Sequence, residues 1–191
     1  MDLILASTSS YRKELLQRLG LPFITAAPEA DESPFDNESP DQLVRRLAEA
    51  KARAVAKHYR NALIIGSDQV AEVEGHLLGK PGNHQRAVEQ LRKASGKRLH
   101  FLTGLCLLNS RTNQVQIDVI PFAVVFRLLS DQHIENYLRR EQPYHCAGAF
   151  KSEALGIALC ERFEGDDPTS LIGLPLIRLS RMLETEGVAI L

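Results

Sequence analysis

Apolar positions along this chain fall into three patterns. Unbroken runs at 3–6 and 62–65 have no polar alternation and predict strands buried on both faces. Helical stripes appear at Leu15, Leu16 and Leu19 over 11–19, stopped by Gly20, and at Leu43, Leu47 and Val55 over 40–58. The second helix has a clear start: Ser39 at the cap, Pro40 in the first turn and Gln42 at the capping-box position. Partial alternation predicts two long strands, 99–108 interrupted by Gly104 and 115–127 with Pro121 at a bulge or edge, joined by a turn at 109–113. Asn83 caps a helix through Ala87, Leu91 and Ala94, ended by Gly96. Ser130 caps another, with Ile134, Tyr137 and Leu138 on one face, ending near Arg140. Residues 23–27 and 156–163 predict strands, 28–40 an acidic loop, 164–168 a turn, and a last helix reaches about Glu184. This mixture predicts a mixed α/β fold.

The second apolar run ends in Gly66, Ser67, Asp68 and Gln69. Ligands of open α/β sheets bind outside the carboxyl ends of strands, where this reading places Asp68. Gly66 would let the backbone approach a ligand closely. A hairpin over 72–78, turning at Glu74 and Gly75, returns the chain to Lys80 and Pro81. A carboxylate and an ammonium brought together this way suit a phosphate-and-metal site. A loop aspartate and a surface salt bridge account for the same residues equally well.

Four hydroxyls, Ser7, Thr8, Ser9 and Ser10, precede the first helix, with Arg12 in its first turn. Hydroxyls, free helix N–H groups and a guanidinium make a phosphate cradle. Simple capping by Ser9 or Ser10 uses only one of them. Lys51 lies on the apolar stripe of the second helix, where a lysine ordinarily snorkels to water.

Composition narrows the partners. The 191 residues suffice for one large domain or two small lobes sharing a sheet. A net charge of -1 gives no basic field for nucleic acid. Cys106, Cys146 and Cys160 are far apart, which fits reduced cytoplasmic thiols in an apolar core. No apolar run approaches the ~20 residues of a membrane span, and the N-terminus is too short and acidic for a signal peptide. These features lead to the expectation of a cytoplasmic protein bound to neither membrane nor nucleic acid.

Taken together, the motifs resemble the Maf family of nucleoside triphosphate pyrophosphatases. They are Leu5-Ala6-Ser7-Thr8-Ser9 through Arg12, Leu15 and Leu16; Asp31-Glu32; Arg46-Leu47-Ala48 to Lys51-Ala52; Ser67-Asp68-Gln69-Val70; Gly79-Lys80-Pro81; Ala147-Gly148 to Glu153; and Gly173-Leu174-Pro175. They occur in family order across almost the whole chain. The resemblance implies one Maf-like domain over 1–191, a mixed, elongated two-lobed α/β fold with a central twisted sheet and a cleft between the lobes, and a possible homodimer. It also implies cleavage of a nucleoside triphosphate to monophosphate and pyrophosphate with a divalent cation, Mg²⁺ or Mn²⁺.

Residue roles follow from the same resemblance. Asp68 is the catalytic carboxylate and Lys80 holds the phosphates. Ser7 and Arg12 belong to the phosphate-binding loop, and Glu32 and Lys51 line the cleft. Asp68 and Glu32 are the candidate metal ligands. Many members read Ser-Pro-Arg-Arg where this chain reads Ser9-Ser10-Tyr11-Arg12. Tyr11, Gln69 and Glu153 instead resemble the branch acting on 7-methyl-GTP. N7-methylguanine is cationic, so an aromatic face attracts it and a carboxylate can accept its N1–H and amino hydrogens. As isolated residues, Tyr11 reads as a half-buried helix position and Glu153 as a surface carboxylate. The resemblance leaves two alternatives: the same reaction on UTP, dTTP or a damaged base, or a nucleotide-binding regulator of cell division.

Overall fold

The first apolar run lies within β1 (Asp2–Ala6) and the second opens β3 (Ala62–Val73). They pair in parallel, from Asp2 opposite Ala62 to Leu5 opposite Ile65. Strand β2 (Ile24–Ala26) pairs in parallel with β1. The remaining strands are β4 (His76–Leu78), β5 (Arg98–Asn109), β6 (Gln114–Phe126) and β7 (Cys160–Glu164). The sheet order is β2-β1-β3-β5-β6-β7, with β4 paired to β3. Six helices accompany it: α1 (Ser10–Gln17), α2 (Pro40–Ala56), α3 (His84–Ala94), α4 (Asp131–Glu141), α5 (Pro168–Ile172) and α6 (Leu176–Thr185). This is the mixed α/β class expected from the sequence. The structure is a computed structural model describing residues 1–191.

The chain divides into two compact units. The first comprises Met1–Gln69, Leu102–Ile120 and Asp167–Leu191, the second Val70–Phe101 and Pro121–Asp166.

Strand periodicity explains the first unit. Side chains alternate between the faces of a sheet, so a strand covered on both sides must be apolar at every position. Leu3, Leu5, Leu63, Ile65, Leu105 and Leu107 pack with α1 and α6. Ile4, Ala6, Ala62, Ile64, Cys106 and Leu108 pack with α2 through Ala48, Ala52 and Val55. Each large aliphatic side chain so buried contributes roughly 1.5–3 kcal/mol. The same alternation places Gly66 and Gly104 on the α2 face. A Cβ on Gly66 would lie 2.0 Å from the Ala48 carbonyl oxygen, and one on Gly104 would lie 2.2 Å from that of Val44. Helix α2 therefore rests on bare backbone of β3 and β5. Gly66 admits a helix rather than a ligand, and Gly104 interrupts no strand.

Local signals set the element ends. Ser39 and Gln42 form the predicted capping box of α2, and Ser9, Asn83 and Ser130 cap α1, α3 and α4. In the second unit, β3 and β4 are joined by Glu74 and Gly75, both at positive φ (50° and 80°), a tight hairpin turn. Phe150 packs on Phe101 and Phe126, with ring centroids 6.1 and 5.1 Å away. Pro121 precedes the β6–β7 pairing, which begins at Ala123, and the register shift lies at Val125 and Phe126 instead.

Two C-terminal expectations need correction. The strand predicted over 156–163 begins only at Cys160; Leu155–Leu159 is a short 3-10 turn. Gly156 explains the difference, because it is tucked so closely against the Lys151 carbonyl that a Cβ would stand 2.3 Å from that oxygen. An apolar run this short has no periodicity to separate the two shapes. Pro168–Ile172 forms α5, with Asp167 as its N-cap, where the sequence predicts no helix after the 164–168 turn. Cys106, Cys146 and Cys160 form no disulfide, and burial pushes the Cys106 thiol up to about 12. No helix is long and apolar enough to cross a membrane.

Candidate active site

The site of the first unit grows from three consecutive residues of β3. Asp68 falls on the α2 face, with Ile64 and Gly66; Ser67 and Gln69 fall on the opposite face. Asp68 is not at a strand end, as the sequence suggested, but within β3, which runs on to Val73. Parallel pairing with β1 ceases at Ile65, so Asp68 lies beyond the end of that ladder.

Close seating of α2 on Gly66 brings Lys51 to Asp68. The Lys51 Nζ donates to Asp68 Oδ1 at 2.6 Å and lies 2.9 Å from Glu32 Oε1. Lys51 is 6% exposed, so it does not snorkel; a charge in this position requires partners, and it has two carboxylates. A buried ion pair is a poor source of stability, because desolvation offsets most of its Coulomb energy. Stability alone therefore does not account for the cluster.

The other face of β3 carries a hydrogen-bond network. Ser67 Oγ and Arg12 Nε both donate to the Gly173 carbonyl, at 2.9 and 2.8 Å. Burial pulls the Arg12 guanidinium below its ordinary range, while Asp68 and Glu32 act in the opposite direction. Gln69 Nε2 donates to the carbonyls of Ser170 and Leu171 and to Thr103 Oγ1, at 2.8, 3.1 and 3.0 Å. Its donors are thus spent on α5 and β5, so the atom it can offer a ligand is its carbonyl oxygen. Asp167 joins two helix starts: Oδ1 accepts from the Thr169 N–H in α5, and Oδ2 from the Ile177 N–H in α6.

The sequence reading gave no role to Ser67, Thr103, Asp167 or Gly173, although Ser67 and Gly173 lie within the motifs of the resemblance. Only Asp167 had a legible signal, as an acidic cap before a proline. The partners of Ser67 and Thr103 lie 106 and 67 residues away in the chain, beyond any local pattern.

The remaining predicted residues are placed as follows. Ser7 is buried, and its Oγ accepts from the Ser9 N–H at 3.1 Å. Ser9 Oγ accepts from the Arg12 N–H at 3.4 Å, so two of the four hydroxyls shape the turn. Tyr11 lies half-buried in the first turn of α1. Lys80 and Glu153 are exposed residues of the second unit. The Lys80 segment is held on both sides: the Gly79 carbonyl accepts from Gln90 Nε2 at 3.0 Å, and the Gly82 N–H donates to the Tyr144 carbonyl at 2.9 Å. Glu141 accepts from Lys151 Nζ at 2.8 Å and from the Leu155 N–H at 3.1 Å, bracketing Glu153.

No group of three or more His, Cys, Asp or Glu side chains is placed to hold a metal. Asp68 and Glu32 nevertheless meet at one ammonium. One or two carboxylates completed by substrate phosphates and water is the usual donor set for Mg²⁺, and this pair fits it.

Comparison with known proteins follows the same lines. The family model described as "Maf-like protein" matches residues 2–186. A protein of Nitrosococcus oceani named 7-methyl-GTP pyrophosphatase is 57% identical over 189 residues, 99% of this chain and 95% of the relative. A protein of Pseudomonas aeruginosa with the same name is 55% identical over 99% of this chain and 98% of its own length. Among solved structures, the Ham1 protein of Staphylococcus aureus aligns with a TM-score of 0.49 at 13% identity, covering 66% of this chain and 72% of that one.

Proposed function

The chain belongs to the Maf family, and from that premise we propose that it hydrolyses 7-methyl-GTP to 7-methyl-GMP and pyrophosphate. The observation that carries the reaction is the meeting of Asp68 and Glu32 at the buried Lys51 ammonium. The choice of base draws on near-full-length relatives named for that substrate.

The chemistry is hydrolysis of an acid anhydride. Water attacks the α-phosphorus and its oxygen bonds there as the bond to the bridging oxygen breaks. Pyrophosphate leaves with the electron pair. Asp68 accepts the proton of the water on Oδ2, its Oδ1 being engaged by Lys51. Lys51 and Arg12 neutralise charge on the phosphate oxygens, and they are oriented beforehand by Asp68 and by the Gly173 carbonyl. The phosphate role of Lys80 rests on the family motif. Asp68 and Glu32 would hold a divalent cation, which supplies further charge neutralisation when bound.

Base selection rests on Tyr11, Gln69 and Glu153. A cation over an aromatic face gains about 0.5–2 kcal/mol, a preference of roughly two- to thirtyfold for the methylated base. Gln69 adds an acceptor oxygen and Glu153 an acceptor carboxylate, both suited to guanine N–H groups. The three separate thiols are in keeping with a reducing compartment, taken here as the cytoplasm.

A panel of triphosphates with Mg²⁺ tests this assignment. Pyrophosphate release should be fastest from 7-methyl-GTP, and a lead for UTP or dTTP would overturn the base assignment. Tyr11→Arg should lower kcat/KM for 7-methyl-GTP by about tenfold or more, since it replaces attraction by repulsion. UTP turnover should change far less. Equal losses on both substrates would contradict the stacking role.

A further inference from the structure

Glu32 poses a physical problem. Its side chain is 59% exposed and it sits in residues 27–39, which form no helix or strand, yet it reaches a buried ammonium at 2.9 Å. Fixing a glutamate on an irregular segment costs conformational entropy at every ordered backbone position and in the side chain. One ion pair whose carboxylate stays largely in water does not offset that cost by itself. Something else must hold the segment.

The guanidinium of Arg46 is placed to do so. Its Nε and Nη2 donate to the two oxygens of Glu38 at 2.6 and 2.8 Å, a bidentate fork. The Arg46 and Glu38 side chains are 24% and 7% exposed, so the pair is partly shielded from solvent. Nη2 also donates to the Ser33 carbonyl at 3.0 Å, and the guanidinium carbon lies 3.9 Å from the centroid of the Phe35 ring. Glu38 Oε2 additionally accepts from the Phe35 N–H at 3.1 Å. One side chain of α2 thus grips residues 33, 35 and 38, immediately after Glu32. A lysine cannot reproduce this grip, having neither the planar fork nor the stacking face.

We propose that Arg46 is a positioning residue that latches the 33–38 segment onto α2 and thereby sets Glu32 against Lys51. For its effect on turnover the inference rests on the triphosphate reading above; its structural content does not. The test is Arg46→Lys in the full chain, examined in two ways. Amide hydrogen exchange at Phe35 and Glu38 should accelerate by about tenfold or more, while β3 and the centre of α2 keep their protection. Pyrophosphate release from 7-methyl-GTP should fall by about tenfold in the wild-type background and not at all in a Glu32→Gln background, because the latch acts only through Glu32. Unchanged exchange at Phe35 and Glu38 would overturn the latch. An equal fold-loss in both backgrounds would overturn its action through Glu32. If the wild-type chain releases no pyrophosphate, the proposed reaction fails instead, and the exchange measurement still decides the latch.

Discussion

Asp68→Asn should lower pyrophosphate release by about 10²–10⁴-fold, the range expected on removal of a positioned general base. Asparagine preserves the size of the side chain and can still face Lys51, but it cannot take a proton from water. Lys51 keeps Glu32 at 2.9 Å, so its charge is not left uncompensated. That remaining contact is why the variant should fold, with a far-UV spectrum like that of the wild type. Removal of the only partner of a buried charge would cost about 3–5 kcal/mol; here the cost should fall well below that. An Asp68→Asn protein with wild-type turnover would exclude Asp68 as the proton acceptor.

The second large effect concerns the fold beneath the site. Gly66→Ala would place a methyl carbon 2.0 Å from the Ala48 carbonyl oxygen and 3.0 Å from the Ala52 nitrogen, both backbone atoms of α2. Neither can swing aside as a side chain could, so the helix must retreat as a body. Overpacking of a core costs about 1–3 kcal/mol, and this case should lie at or above the upper end. Urea denaturation should show a loss of about 3 kcal/mol, with activity reduced in the protein that still folds, since Lys51 travels with α2. Gly79→Ala is the comparison: its added Cβ meets nothing within 4 Å, and the stability change should be under about 0.5 kcal/mol. Similar losses at both positions would show that helix seating does not decide the cost of losing Gly66, since the reduced entropy of the unfolded chain favours alanine at both.

Those two positions also show what a sequence can and cannot reveal. The capping box of α2, the Glu74-Gly75 turn and the doubly buried run at 62–65 are local features, readable because each depends on residues a few positions apart. Asp68 was misplaced at a strand end because Gly, Ser and Asp in succession look like a terminator. In the fold, Gly66 is required by a helix some fifteen residues earlier in the chain, and Asp68 is compensated by a lysine of that same helix. The residue pattern alone pointed Lys51 to solvent; the carboxylate that holds it inside belongs to another element. Gln69 carried a binding assignment by resemblance, but its anchoring of α5 through the Ser170 and Leu171 carbonyls left no trace in the sequence. Leu155 to Leu159 failed for the opposite reason: the apolar run was visible, but its shape was set by one glycine packed against the Lys151 carbonyl.

The central claim is the bond that breaks, and product analysis tests it most directly. A turnover of 7-methyl-GTP with Mg²⁺ or Mn²⁺ in ¹⁸O-labelled water should give 7-methyl-GMP and pyrophosphate in equal amounts, with the label in the monophosphate. That result places water attack at the α-phosphorus, as the proposed reaction requires. Formation of 7-methyl-GDP and inorganic phosphate, label in the pyrophosphate, or no turnover with either metal would contradict the account.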